Sequence, residues 1–100
     1  MSKIPVAINR RKISIFCRKH HIAFLALFGS ILTPRFSPSS DVDVLVKFEK
    51  KHTPSLFGIV DMEFELSSII GRKVDLRTPN DLSPLFRDKV LSMAKIVYER

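Results

Sequence analysis

The sequence predicts a small α/β (α+β) domain in which helices pack on a mixed sheet of three or four strands. Three observations carry that reading. The chain has 100 residues, enough for one hydrophobic core and too few for separate modules, so residues 1–100 are expected to form a single domain. Apolar residues make up 45% of it, well above the composition of disordered chains. Helical and two-residue periodicities alternate along the chain in the order helix, strand, strand, helix, strand, helix.

Each element has a local reason. Pro5 suits a first helical turn, and Ile13, Phe16, Cys17 and His20 then recur at helical spacing, predicting an amphipathic helix over about 5–21. Ile22 to Phe28 is apolar and uncharged, as a buried strand is, and Gly29-Ser30 ends it. Residues 31–40 hold two prolines and four hydroxyl residues and read as a loop with at most one helical turn. Asp41 to Phe48 begins with strict alternation, a strand with two different faces. Glu49 to Pro54 is a polar connection, and Ile59, Met62, Leu66, Ile69 and Ile70 then form one stripe of a helix over Leu56–Ile70. Gly71 is placed to end that helix as its C′ residue. Lys73 to Arg77 is a third strand, and Asn80 to Leu82 a turn. Ser83-Pro84 is an N-cap and N1 pair, opening a last helix to about Tyr98 with Phe86, Val90, Ala94 and Val97 turned inward.

Charge and cysteine usage narrow the functional classes. Seventeen Lys and Arg against ten Asp and Glu give a net charge of +7, which favours anionic partners such as nucleotides, nucleic acid or an acidic protein. The single cysteine, Cys17, allows neither an intrachain disulfide nor a cysteine zinc cluster, and is expected in the core. The early residues are basic with no long apolar run, so no secretory signal is expected. The longest apolar run, Ile22 to Phe28, is far shorter than the ~20 residues of a membrane span. A soluble cytoplasmic location is the expectation, with no membrane contact.

The chemistry is concentrated in Leu27 to Phe48. A buried strand runs into Gly29-Ser30, ten residues follow, and Asp41-Val42-Asp43 opens the next strand ahead of Val44-Leu45-Val46. Alternation puts Asp41 and Asp43 on one face at the strand's start. Two adjacent carboxylates at the mouth of an apolar strand repel one another, and a divalent cation relieves that cost. Mg²⁺ takes oxygen ligands, commonly one or two carboxylates together with substrate phosphates. Gly29 lets backbone approach a ligand closely, and Ser30 adds N–H and hydroxyl donors for phosphate oxygens. A two-metal site needs a further carboxylate from a neighbouring strand, and Asp75 is the candidate, unless it simply pairs with Arg72 or Arg77. Asp61, Glu63 and Glu65 lie on a predicted helix and read as a solvated face. His20 and His21 at a helix end read as caps for carbonyls rather than metal ligands.

Gly29-Ser30, the ten-residue spacing, Asp41-Val42-Asp43-Val44-Leu45-Val46 and Gly71-Arg72-Lys73-Val74-Asp75-Leu76 resemble the minimal nucleotidyltransferases of the polymerase-β-like superfamily, over nearly the whole chain. That resemblance implies the polymerase-β-like nucleotidyltransferase core. It also implies an antitoxin that transfers AMP from ATP to a tyrosine hydroxyl of a partner HEPN ribonuclease toxin. By position, Asp41, Asp43 and Asp75 would be the catalytic and Mg²⁺-binding carboxylates, and Gly29 and Ser30 would hold the nucleoside triphosphate. The family loop usually reads Gly-Ser-x-Ala-Arg-Gly, whereas here Thr33 and Pro34 stand at the Arg and Gly positions. Pro34 stiffens the loop and removes a donor, and Arg35 is the cation expected to stand in at the nucleotide.

Three other readings are set beside this one. A binding-only antitoxin would neutralise its partner by occlusion, as the altered loop would allow. A nucleic-acid module would use Arg10, Arg11, Lys12, Arg18 and Lys19, but the sequence offers no aromatic stacking platform beside them, which disfavours it. A transferase for small molecules would need a substrate domain from elsewhere. Finally, Phe57, Val60 and Phe64 make a second helical stripe, covered either by the chain itself or by a partner in a homo- or hetero-oligomer.

Overall fold

The computed structural model describes residues 4–100. Three helices and a four-stranded mixed sheet follow one another as α1 (Arg10–Lys19), β1 (Ile22–Phe28), β2 (Val42–Phe48), α2 (Leu56–Ile70), β3 (Val74–Arg77), α3 (Pro84–Met93) and β4 (Lys95–Glu99). Single 3₁₀ turns at Gly29–Leu32 and Pro79–Asp81 precede β2 and α3. The strand order is β3-β2-β1-β4. β1 runs antiparallel to both β2 and β4, and β2 runs parallel to β3.

The core lies between one sheet face and helices α1 and α2. Val42, Val44 and Val46 alternate onto that face from β2, with Leu25 and Leu27 beside them from β1. Ile13, Phe16 and Cys17 of α1 and Met62, Leu66 and Ile70 of α2 close over them. Burial pushes the Cys17 thiol up to about 12, so it is an inert core group. α2 keeps its predicted limits: the Ser55 hydroxyl caps it by accepting from the Gly58 N–H, and Gly71 ends it in the left-handed region at φ 80°. Among the described residues, no helix is long and apolar enough to cross a membrane.

Two predicted elements change. The first helix begins at Arg10 rather than near Pro5, because the Asn9 side chain accepts from the Lys12 N–H and fixes the N-terminus there. The preceding stretch instead lays Ile4, Val6 and Ile8 against the core with a period of two. The last helix stops at Met93, and residues 95–99 form a strand. Ala94 already has extended backbone, and the Ile96-Val97-Tyr98 run pairs with the otherwise open edge of β1. Of the residues expected to face inward, Phe86 is exposed, Val90 and Ala94 are half-buried, and Val97 is buried from a strand rather than a helix. The segment from β3 to β4 thereby crosses from one edge of the sheet to the other.

The edge strand β3 is held by α2. The Val74 N–H donates to Ser67 Oγ at 3.0 Å and the Leu76 N–H to Glu63 Oε2 at 2.7 Å. Glu63 therefore satisfies a sheet edge and is not part of a solvated face. Glu65 is engaged as well, with Lys19 and His20. Burial raises its carboxyl, but the hydrogen bonds from those two residues outweigh that and hold it below the usual range.

Candidate active site

The site is built where β1 ends and the parallel strands β2 and β3 begin. Asp43 is the second residue of β2 and Asp75 the second of β3, and they are register partners. On its other side Asp43 pairs with Phe28, the last residue of β1. The chain turns there at Gly29, whose φ of 78° favours glycine. A Cβ on Gly29 would sit 2.3 Å from Asp43 Oδ2, so the missing side chain is what leaves room for this carboxylate. Gly29 and Asp43 thus form a backbone-lined cradle that neither could make alone.

Asp41 precedes β2 and is exposed, while Asp43 and Asp75 are half-buried. The Asp43 carboxyl is raised above the usual range, first by burial and then by the charges of Asp75 and Asp41; Arg77 partly opposes this. Arg77 also donates to Asp75 Oδ2 from Nη2 at 3.1 Å and Nε at 3.3 Å. Asp75 therefore pairs with a cation, Arg77, and is at the same time the register partner of Asp43. Arg72 does not join it. Its guanidinium donates to the carbonyls of Ser37 and Ser40 at 2.8 and 2.6 Å and lies 4.6 Å from the Phe36 ring. That clamps the loop delivering Asp41, a positioning role the sequence did not disclose.

The Gly-Ser loop is tightly folded. It is one 3₁₀ turn, Gly29–Leu32, closed by Thr33, whose N–H and Oγ1 both donate to the Ser30 carbonyl at 2.9 Å. Thr33 Oγ1 in turn accepts from the Arg35 N–H. Thr33 is thus a turn-closing residue, which explains how the loop holds its shape without the usual Ala-Arg-Gly. Arg35 is exposed, and the cation that acts on Asp43 is Arg77. A cleft of about 400 Å³ opens beside Gly29, lined by Phe28, Leu32, Thr33, Phe86, Lys89, Val90 and Met93. It brings α3 to the site.

All the donors of the trio are carboxylate oxygens, and burial followed by the charges of Asp75 and Asp41 raises Asp43, a condition that a hard divalent cation relieves. Among the described residues, only His21, Glu49 and His52 bring three ligand atoms within 4.8 Å of one another. The aspartate trio is more open, which suits an ion whose shell is completed by water and substrate phosphates.

Residues 11–100 match the model of the polymerase beta nucleotidyltransferase family. The chain belongs to that family. A Methanocaldococcus jannaschii relative, MJ0435, provisionally named a protein adenylyltransferase, is 34% identical over 85% of this chain and 89% of its own length. Two solved structures share the fold of this nucleotidyltransferase. One, a toxin–antitoxin with AMP-PNP, superposes with a TM-score of 0.72 at 22% identity, covering 93% of this chain and 75% of that one. The other, a tri-AMPylated Shewanella oneidensis HEPN toxin in complex with an MNT antitoxin, gives 0.64 at 22%, covering 91% and 70%. The expected family and sheet architecture are thereby borne out, including the mixed sheet with four strands.

Proposed function

We propose that this nucleotidyltransferase is an antitoxin that transfers AMP from ATP to a tyrosine hydroxyl of a HEPN-type toxin, in a Mg²⁺-dependent reaction. The observation that carries the reading is the register pairing of Asp43 with Asp75 beside the Gly29 cradle. The names of MJ0435 and of the two complexes supply the substrate class. The reading takes residues 1–100 as one nucleotidyltransferase domain acting in the cytoplasm.

Asp41, Asp43 and Asp75 would hold Mg²⁺, which when bound neutralises phosphate charge and favours the ionised hydroxyl. Gly29 and Ser30 bring backbone N–H groups and a hydroxyl to the triphosphate, and the cleft beside Gly29 has the size and apolar walls to take the base. The acceptor hydroxyl oxygen forms a bond to the α-phosphorus as the bond to the bridging oxygen breaks. Pyrophosphate leaves, and Asp75 accepts the hydroxyl proton. Its contact with Arg77 is half-exposed and weak enough to exchange during that step.

Asp41→Asn with Asp43→Asn is expected to abolish label transfer from ATP to the toxin while circular dichroism stays unchanged. Undiminished transfer by the double variant would overturn the assignment. The second reading, neutralisation by binding alone, rests on Thr33 and Pro34 in the loop. It predicts a toxin that regains full activity after separation, with no gain in mass.

A further inference from the structure

At the end of the sheet opposite the aspartates, three potential metal ligands converge. His21 precedes β1, Glu49 follows β2, and His52 lies in the connection to α2. The pairing of Ile22 with Phe48 places the first two side by side, and the Glu49 N–H donates to the His21 carbonyl at 2.8 Å. His21 Nδ1 lies 3.6 Å from Glu49 Oε1, and the rings of His21 and His52 stack with centroids 3.8 Å apart. One ligand atom from each residue falls within 4.8 Å of the other two. The expectation that His21 caps helix carbonyls is thus not met, and the side chain turns to Glu49 and His52 instead.

The spacing can be tested against a known coordination shell. Metal–nitrogen and metal–oxygen bonds of about 2.0–2.2 Å at a tetrahedral angle put neighbouring ligand atoms roughly 3.4 Å apart. The His21–Glu49 pair is already close to that spacing, and His52, exposed and stacked on His21, turns its ring to complete the set in the bound form. Glu49 is held for the purpose. Its Oε2 lies beside the Arg100 guanidinium, and its Oε1 is turned toward the His21 ring. His21 and Lys51, at φ 55° and 69°, are the non-glycine residues in the left-handed region among those described, and they flank or belong to this cluster. Two imidazoles and one carboxylate suit a first-row transition metal and not Mg²⁺.

We propose that His21, Glu49 and His52 form a binding site for a divalent transition-metal ion, separate from the aspartate site, that ties the α1–β1 turn to the β2–α2 connection. β1 and β2 each have seven residues, so the two sites are separated by about 20 Å at the usual strand rise.

Zn²⁺ is the probe, added to tag-free, chelator-treated protein and followed by calorimetry and thermal melting. One ion per chain is expected to bind, and at a hundredfold excess over Kd the melting temperature rises by on the order of 10 °C. His52→Ala lies in an exposed loop, and His21→Asn keeps a residue that tolerates positive φ, so both variants are expected to fold. Each should weaken binding at least tenfold, whereas His20→Ala, on the neighbouring ring bonded to Glu65, binds as wild type. Millimolar Mg²⁺ is expected not to displace the ion. Absence of saturable binding, unchanged affinity in both His21→Asn and His52→Ala, or displacement by Mg²⁺ would each overturn the proposal.

Discussion

Asp43 and Asp75 occupy one register across β2 and β3, and behind Asp43 stands a glycine whose missing Cβ leaves space for the carboxylate. The pairing of like charges has a consequence for stability. Burial first, and then Asp75 and Asp41, raise the Asp43 carboxyl in the folded chain. A carboxyl raised on folding binds more protons in the folded than in the unfolded state between its two pKa values. Stability from this group therefore falls as pH rises through that window, and the deficit is full above it.

Asp43→Asn is accordingly expected to raise the melting temperature at neutral pH when no divalent ion is present. The gain should shrink on acidification, as the wild-type carboxyl takes up its proton. Paired melting curves from pH 3 to pH 8 in chelator check this, and a gain that persists unchanged at acid pH would refute the linkage.

Gly29→Ala tests the cradle. The left-handed backbone costs a residue with a Cβ about 1–2 kcal/mol, and the added carbon would collide with Asp43 Oδ2 unless the carboxylate moves. A fall in melting temperature of roughly 5–15 °C is expected, with AMP transfer lost even at temperatures where the variant is folded. Denaturation and transfer assays on the same preparation separate the two effects.

The parts of this arrangement that were legible in the sequence are those set by short-range chemistry. β1, α2 and the Gly71 cap read directly from apolar runs, helical spacing and a positive-φ terminus. Alternation singled out Asp41 and Asp43, and Asp75 with them by family resemblance; the register of β2 and β3 then sets Asp43 beside Asp75. What failed depended on distant partners. Ile96 to Tyr98 continue a helical pattern locally, and the open edge of β1, some seventy residues earlier in the chain, recruits them as a strand. Arg77, the cation beside the aspartates, was read in the sequence only as a possible partner of Asp75, because its effect on Asp43 depends on the pairing of β2 with β3. Glu63 looked solvated because nothing in the sequence shows that the Leu76 N–H lies next to it.

Arg72→Ala tests the loop clamp. The substitution removes hydrogen bonds to Ser37 and Ser40 and the contact with Phe36. Bonds from a charged donor contribute about 1.5–3 kcal/mol, so a measurable loss of stability is expected. The larger effect should be on transfer, because the freed loop carries Asp41. A fall in kcat with nucleotide Kd nearly unchanged is expected. Arg72→Lys, a single point charge without the planar fork, should rescue it only in part. Full activity in Arg72→Ala would show that the loop holds Asp41 without the clamp.

The exposed stripe on α2 separates core from surface on a single helix. Phe57 and Phe64 are 83% and 72% exposed, while Leu66 is fully buried against the sheet. The sequence left open whether the chain itself or a partner covers this stripe, and in the folded chain Phe57 and Phe64 stay uncovered. Leu66→Ala removes buried methyl groups and is expected to cost about 2–5 kcal/mol, enough to threaten folding of a chain this small. Phe57→Ala with Phe64→Ser removes two large side chains that remain largely solvated, so the change in melting temperature should be within a few degrees. Solubility should rise, because adjacent apolar groups leave the surface. The comparison is made by thermal melting of dilute protein, with light scattering to follow self-association. A drop for the double variant comparable with that for Leu66→Ala would mean that the stripe is buried in solution, against a second copy or another part of the chain. Scattering across a concentration series would tell those two apart, since only contact with a second copy depends on concentration.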